Sequence, residues 1–113
     1  MANTFKVKTK AGIGTSITTV YTVPSSTTTI VLGLIVGNVT GSAVNATVHV
    51  ESDTSDTETN ANVHAIKDAP IPVGSTLEVM SGNKVVLQAT DVLKIDCDVA
   101  AKIDATLSIM EIT

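Results

Sequence analysis

Few side chains of this 113-residue sequence are of the types that carry out catalysis. Its two histidines are His49 and His64, and its single cysteine is Cys97. Asp96 and Asp98 alternate with apolar residues, so both carboxylates point to the same side of one predicted strand. Paired carboxylates act as general acid and base when a cleft buries them, but on a solvated strand face they are surface charge. Cys97 falls on the apolar side of that strand, where a thiol is usually a small buried side chain. Metal-binding spacings such as Cys-x-x-Cys are missing, so we expect no enzyme activity, no catalytic residue, no metal and no cofactor.

One further spacing resembles a cation site. Asp53, Ser55 and Thr57 occupy alternate positions, as the first ligands of a calcium loop do. Positions six and twelve of such a loop are glycine and glutamate, but here they are Glu58 and His64. We therefore interpret residues 51–62, which hold four of the eleven acidic residues, as an exposed and mobile polar loop.

The composition argues against several kinds of partner. All seven basic residues are lysine, the net charge is −4, and the aromatic residues are Phe5 and Tyr21. Without arginine forks or a stacking platform, the chain is poorly equipped to bind nucleic acid. The longest apolar run, Thr28 to Val39, is shorter than the ~20 residues that span a membrane. A single cysteine and an N-terminus without an apolar signal core predict synthesis in a cytoplasm without a classical export signal.

The segments that carry these residues are all predicted to be strands. The run from Thr28 to Val39 is β-branched and apolar on both faces, which predicts a central strand covered on both sides. A short turn predicts that it pairs as a hairpin with the strand Ala43 to Glu51. Alternation of apolar and polar residues predicts half-buried strands over Asp91 to Val99 and Ile103 to Ile112.

Shorter strands complete the predicted fold. We expect Thr76 to Met80 and Lys84 to Gln88 to form a second hairpin, preceded by a rigid extended connection through Pro70 and Pro72. About eight or nine short strands without a helix predict one all-β domain over residues 1–113. Its architecture is a single antiparallel β-sandwich, with a jelly-roll or an immunoglobulin-like strand order.

The N-terminal strand has one apolar and one basic face. Phe5, Val7 and Thr9 share the face that we predict to point inward, and the alternate face carries Lys6, Lys8 and Lys10. Lysines on an edge strand discourage aggregation, which is the simpler interpretation of this pattern. Alternatively, residues 1–10 form an arm that pairs with an acidic neighbouring subunit.

Two parts of the sequence, which together cover most of residues 12–95, resemble small virion proteins of tailed phages, especially those of cyanophages. The shared order is Val-Tyr-Thr-Val-Pro, a strand, Asn-x-Thr-Gly-Ser-Ala, a strand, Pro-x-Gly-Ser-x-Leu, Gly-x-x-Val-Val-Leu and Asp-x-Leu. In this chain the matching segments are Gly14–Pro24, Gly37–Ala43, Asp68–Val79, Gly82–Leu87 and Asp91–Ile95.

The resemblance implies a non-enzymatic structural component of the virion. Our first hypothesis is a capsid decoration (cement) protein that binds the major capsid protein or other virion proteins as a homo-oligomer, with a trimer as our guess. The expected contact residues lie on the N-terminal strand and on the polar loop: Phe5, Lys6, Val7, Lys8, Lys10, Asp53, Asp56 and Glu58. The alternatives are a neck or tail accessory protein, such as a ring or fibre-attachment subunit, and a carbohydrate- or host-surface-binding module.

Overall fold

The computed structural model describes residues 2–55, 57–80, 84–100 and 102–113. These residues form nine strands, in agreement with the predicted all-β class. The strands are β1 (Asn3–Ile13), β2 (Thr18–Thr22), β3 (Thr28–Asn38), β4 (Val44–Glu51), β5 (Val63–Ile71), β6 (Thr76–Glu78), β7 (Val85–Leu87), β8 (Val92–Cys97) and β9 (Ile103–Ile112). The turn predicted at residues 81–83 lies outside the described residues.

The strands form two antiparallel sheets that pack face to face. Sheet A has the order β1-β9-β3-β6, with β7 also paired to β3, and sheet B has the order β2-β8-β4-β5. Apart from the short β7, the strands form one long two-stranded antiparallel ribbon, in which the chain reverses direction between β4 and β5. Strand β1 pairs with β9, β2 with β8, β3 with β6 and β4 with β5. Wrapping such a ribbon so that successive pairs alternate between two sheets gives the jelly-roll strand order, one of the two predicted alternatives.

Both predicted hairpins are wrong. Strand β3 belongs to sheet A and β4 to sheet B, so the turn between them crosses from one sheet to the other. Strands β6 and β7 pair with β3, at Ile35–Gly37 and Thr29–Val31 respectively, and lie one after the other along its edge. In a ribbon that wraps between two sheets, a short turn between two strands therefore does not imply that those strands pair with each other.

The core lies between the sheets and is aliphatic. Alternate residues of β8 and β9 point into it as predicted, with Leu93, Ile95, Leu107 and Ile109 fully buried. Strand β3 is central in sheet A, but only one of its faces is covered, because the sandwich has two layers. The prediction that β3 is covered on both sides is wrong, since Ile35 on its other face is exposed.

The proline-containing connection is also more regular than predicted. Strand β5 continues to Ile71, and Pro70 is paired with Asn45 of β4. This is possible because β5 is an edge strand of sheet B, where a residue without an N–H group breaks no ladder when its nitrogen faces outward.

Candidate functional site

Strand β1 lies at the margin of the sandwich and contributes little to the core. Of its eleven residues, only Ile13 is buried. Pairing with β9 places Phe5 opposite Met110 and Lys6 opposite Ile109. Because paired residues share a face, the lysines lie on the core side of sheet A and Phe5 lies on its outer side.

The predicted orientation of β1 is therefore wrong. Phe5 and Val7 point outward and are 72% and 61% exposed. The reason is that sheet B covers little of β1 besides Ile13, so the core side of this strand opens to water at the margin. Lysine side chains can occupy that position because their stems lie along the sheet while their ammonium groups reach solvent.

Among the lysines on the core side of β1, Lys6 forms an ion pair with a buried carboxylate, that of Glu111. Its ammonium lies 2.7 Å from Oε1 of Glu111, whose side chain is 7% exposed. The Tyr21 hydroxyl donates a hydrogen bond to the other carboxylate oxygen at 2.6 Å. Since that hydroxyl has one proton, the Thr29 hydroxyl donates to Tyr21, at 2.8 Å. We call Lys6, Tyr21, Thr29 and Glu111 the carboxylate cluster.

The carboxylate cluster shifts two pKa values in opposite directions. The bonds from Lys6 and Tyr21 stabilise the charged form of Glu111 and hold its pKa below the usual value, against the effect of burial. Burial, together with the bond to Glu111, raises the pKa of Tyr21 to about 12. Sequence analysis missed this cluster, although Glu111 stands in phase with the inward residues of β9 and could have been recognised as a buried carboxylate.

The polar loop of residues 51–62 is held to the sandwich by a second buried carboxylate. Asp91, which is almost fully buried, accepts a hydrogen bond from the Ser52 hydroxyl at 2.6 Å and one from the Gln88 N–H at 2.9 Å. The Asn62 side chain accepts a bond from the Ser52 N–H at 2.8 Å. Both ends of the loop are thus fixed, and within it Ser52 is buried rather than exposed as predicted.

The residues predicted for contact on this loop lie beyond the fixed ends. Asp53 and Glu58 are exposed, as expected for residues that meet a partner. Asp56 lies outside the described residues. Ser55 pairs with Thr59 through an isolated bridge, which closes the tip of the loop. Ser55, one of the three residues at calcium-like spacing, is therefore part of a tight turn.

The outer face of sheet B is polar, and its carboxylates are ion-paired or hydrogen-bonded. His49 Nε2 lies 2.9 Å from a carboxylate oxygen of Asp96, and the His49 and His64 rings are 4.8 Å apart. Lys94 and Glu51 form an ion pair at 2.9 Å. Asp96 and Asp98 share this face as predicted, but each carboxylate is bound to a residue of β4, Asp96 to His49 and Asp98 to Asn45. Asp98 accepts bonds from both the backbone and the side chain of Asn45.

Cys97 lies on the opposite side of the same strand and is buried, as predicted. Its sulfur lies 2.8 Å from the backbone oxygen of Val99 and 3.4 Å from that of Ile13, and the one thiol proton is donated to one of these oxygens at a time. The histidines, the paired aspartates and the thiol are thus distributed over two faces of sheet B. Within residues 2–55, 57–80, 84–100 and 102–113, no three His, Cys, Asp or Glu side chains are grouped so that they could hold a metal ion.

The outer face of sheet A has the opposite character. The pairing register places Phe5, Met110, Ile30 and Val86 side by side in one row that crosses β1, β9, β3 and β7. Val86 is 60% exposed, and Ile30 and Met110 are partly exposed. We call this surface the apolar face; its outward apolar side chains are Phe5, Val7, Ile30, Ile35, Val86, Met110 and Ile112. The two sides of the sandwich thus differ, with partnered carboxylates on one and a row of exposed apolar side chains on the other.

Comparison of the chain with protein-family models, with curated proteins and with solved structures finds no match. The resemblance to phage virion proteins therefore stays a prediction. In the part of the chain that the structure describes, no helix has the length and hydrophobicity needed to cross a membrane.

Proposed function

We propose that this chain is a non-enzymatic structural protein of a phage virion, and specifically a capsid decoration protein that binds the shell. The sequence resemblance supports this proposal, and so does the jelly-roll architecture, which is common among viral capsid domains. Fold alone does not determine function, since lectins and cupins use the same architecture. The argument therefore depends on which surfaces this chain offers to a partner.

Strand β1 carries the proposal. It extends over eleven residues although only Ile13 joins the core, so most of its surface is available for contacts. It is the end strand of sheet A, and its outer edge has backbone N–H and C=O groups that a neighbouring strand can extend. Lys8 and Lys10 add positive charge beside that edge, which suits an acidic shell subunit.

The polar loop provides a second contact element. Its ends are fixed by Asp91 and Asn62, so the loop presents Asp53 and Glu58 without a large loss of conformational entropy on binding. Repetition over a symmetric shell then multiplies a modest contact area per copy.

The copy number of the protein in purified virions tests the proposal. Quantitative mass spectrometry should give a number near that of the major capsid protein, because a decoration protein covers the shell. A much smaller ratio would transfer the protein to the neck or tail. Its absence from washed particles would contradict any role as a virion component.

The lysines of β1 can be tested separately. Reversing two charges with Lys8→Glu and Lys10→Glu should weaken binding to undecorated shells by about tenfold at low salt. The matched control is Lys67→Glu with Lys84→Glu, which makes the same change of charge at two exposed lysines outside β1. Equal weakening by both double variants would show that net charge, rather than β1, governs the contact.

The exposed position of Phe5 favours one alternative more than the sequence did. Carbohydrate-binding proteins stack sugars on exposed aromatic rings, and Phe5 is such a ring. Its neighbours along the row, Met110, Ile30 and Val86, are apolar, however, and offer no hydrogen bonds to hydroxyl groups. A glycan array on which wild-type protein binds and Phe5→Ala does not would establish this alternative.

A further inference from the structure

We propose that the outer edge of β1 binds an extended segment of its partner protein, in which acidic and apolar residues alternate, as an additional antiparallel strand of sheet A. The inference rests on the proposed function, since it specifies the contact that β1 makes with the shell. Three features of β1 support it: the direction of its backbone groups, the charge of its core side and the apolar character of its outer side.

The pairing of β1 with β9 determines which backbone groups face the outer edge. Ala2 and Thr113 exchange both of their backbone hydrogen bonds, at 3.1 and 3.0 Å. Hydrogen-bonded and non-hydrogen-bonded pairs alternate along an antiparallel ladder, and this ladder keeps its register as far as Lys10. The even-numbered residues of β1 therefore bond to β9. Four residues point their N–H and C=O groups to the outer edge, where the described part of sheet A ends: Asn3, Phe5, Val7 and Thr9.

The core side of the same segment is basic. Lys6 is bound to Glu111, whereas Lys8 and Lys10 form no ion pair within residues 2–55, 57–80, 84–100 and 102–113. An added strand places its residues opposite the lysines in non-hydrogen-bonded pairs, where facing side chains come closest. Acidic residues there pair with Lys8 and Lys10, and a neutral residue suits the position opposite Lys6.

Charge disfavours a second copy of β1 as the added strand. A two-fold axis that pairs the outward groups of two β1 strands sets even-numbered residues opposite even-numbered ones. In the registers with the longest overlap, Lys6 of one copy then faces Lys6 or Lys8 of the other. Like charges directly opposite each other destabilise a sheet, so the lysines reject a copy of β1 and accept an acidic strand.

The outer side of β1 determines the residues between the acidic ones. Phe5 and Val7 lie on the apolar face and are largely exposed. Apolar residues of an added strand, set opposite these two, remove part of their surface from water. The preferred segment is therefore Glu-Val-Glu-Val-Thr-Val, with its two glutamates opposite Lys10 and Lys8 and its threonine opposite Lys6.

Binding of a synthetic peptide to the full chain, followed by amide hydrogen exchange, tests the inference. The peptide Ser-Glu-Val-Glu-Val-Thr-Val-Ser, with both ends blocked, should slow exchange at the amides of Phe5, Val7 and Thr9, which face it. The amides of Lys6 and Lys8 should not change, because they already bond to β9. Exchange that slows equally at all five amides, or at none with millimolar peptide, would overturn the inference.

Two methylated peptides of the same composition form a matched control. Methylation of the backbone nitrogen of the second valine removes a donor that faces β1 and should weaken binding by about tenfold. Methylation of the nitrogen of the second glutamate alters the far edge of the peptide and should have little effect. Equal affinities of the two methylated peptides would mean that charge alone holds the peptide, which contradicts strand addition.

A charge reversal protects the test against misfolding. The double variant Lys8→Glu with Lys10→Glu should lose the glutamate peptide and bind the peptide in which lysine replaces both glutamates about tenfold more tightly than the wild type does. A misfolded chain cannot gain a ligand in this way, and a variant that prefers neither peptide would contradict the predicted pairing of charges.

The peptide experiment and the virion experiment can fail separately. Protection of the β1 edge by the peptide, together with absence of the protein from virions, would support strand addition and contradict the proposed function. A copy number near that of the major capsid protein, without peptide binding, would support the proposed function and overturn strand addition.

Discussion

Asp91→Ala is expected to lower the free energy of unfolding by about 2 kcal/mol, because it removes the acceptor of two hydrogen bonds at the base of the polar loop. The carboxylate is 4% exposed and accepts bonds from the Ser52 hydroxyl and the Gln88 N–H. Without it, the Gln88 N–H loses its acceptor, and the Ser52 hydroxyl is left with the Thr54 hydroxyl as its acceptor, at 2.9 Å. Urea denaturation measures the change. Asp53→Ala, at an exposed position on the same loop, should change stability by less than about 0.5 kcal/mol.

The same substitution should also release the polar loop. Since Asp91 holds Ser52, we expect limited proteolysis to cut residues 51–62 faster in Asp91→Ala than in the wild type. Asp91→Asn keeps one acceptor oxygen and should give an intermediate result for both measurements. A loss of stability without faster cleavage would mean that Asn62 alone fixes the loop.

Lys6→Met is expected to lower the free energy of unfolding by about 2 kcal/mol at neutral pH. It removes the cation from a carboxylate that stays buried, which costs more than the loss of a surface ion pair. The expected loss of stability is smaller than for a fully buried ion pair, because the Lys6 side chain is itself partly exposed. Lys10→Met is the control on the same strand and face, and it should have little effect. In a Glu111→Gln background, the cost of Lys6→Met should nearly vanish, and an undiminished cost would rule out the ion pair as its cause.

The pH dependence of stability gives an independent check of the carboxylate cluster. The pKa of Glu111 is lower in the folded state than its usual 4.5, so its stabilisation is complete above pH 4.5 and is lost as pH falls through the folded pKa. The pKa of Tyr21 rises from 10.0 to about 12, so its stabilisation is complete below pH 10 and is lost between pH 10 and about 12. Lys6→Met should flatten the acid limb, because Glu111 then binds its proton more readily in the folded state. Tyr21→Phe should remove the loss attributed to tyrosine at high pH.

Sequence periodicity predicted the strands whose two faces differ most. In β9, the inward positions Ile103, Leu107 and Ile109 are separated by polar residues, and the structure confirms their burial. The same rule located the buried face of β8. These strands lie in the middle of their sheets, where one side is always covered, so an apolar face and the core face coincide.

Periodicity failed for β1 and β3, for one shared reason. It distinguishes the two faces of a strand but does not tell which face the other sheet covers. At the margin, β1 turns Phe5 to the outside, and in the centre, β3 exposes Ile35 although both of its faces are apolar. The prediction of strand pairing failed likewise, because a turn as short as the one after Asn38 can either close a hairpin or cross from one sheet to the other. The buried position of Asp91 depends on the distant Ser52, and no local pattern contains that contact.

The ribbon that generates the two sheets also determines the order in which they can form. Among the four pairs of the ribbon, only β4 and β5 are neighbours in sequence, while β1 must wait for β9, at the other end of the chain. Sheet A therefore cannot assemble on the ribosome until β9 has emerged, and until then the aliphatic strand β3 lacks its longest partner. Such non-local pairing makes folding slow, on the scale of milliseconds to seconds. Until β9 has emerged, β3 is an incompletely paired apolar segment of the kind through which nascent chains aggregate.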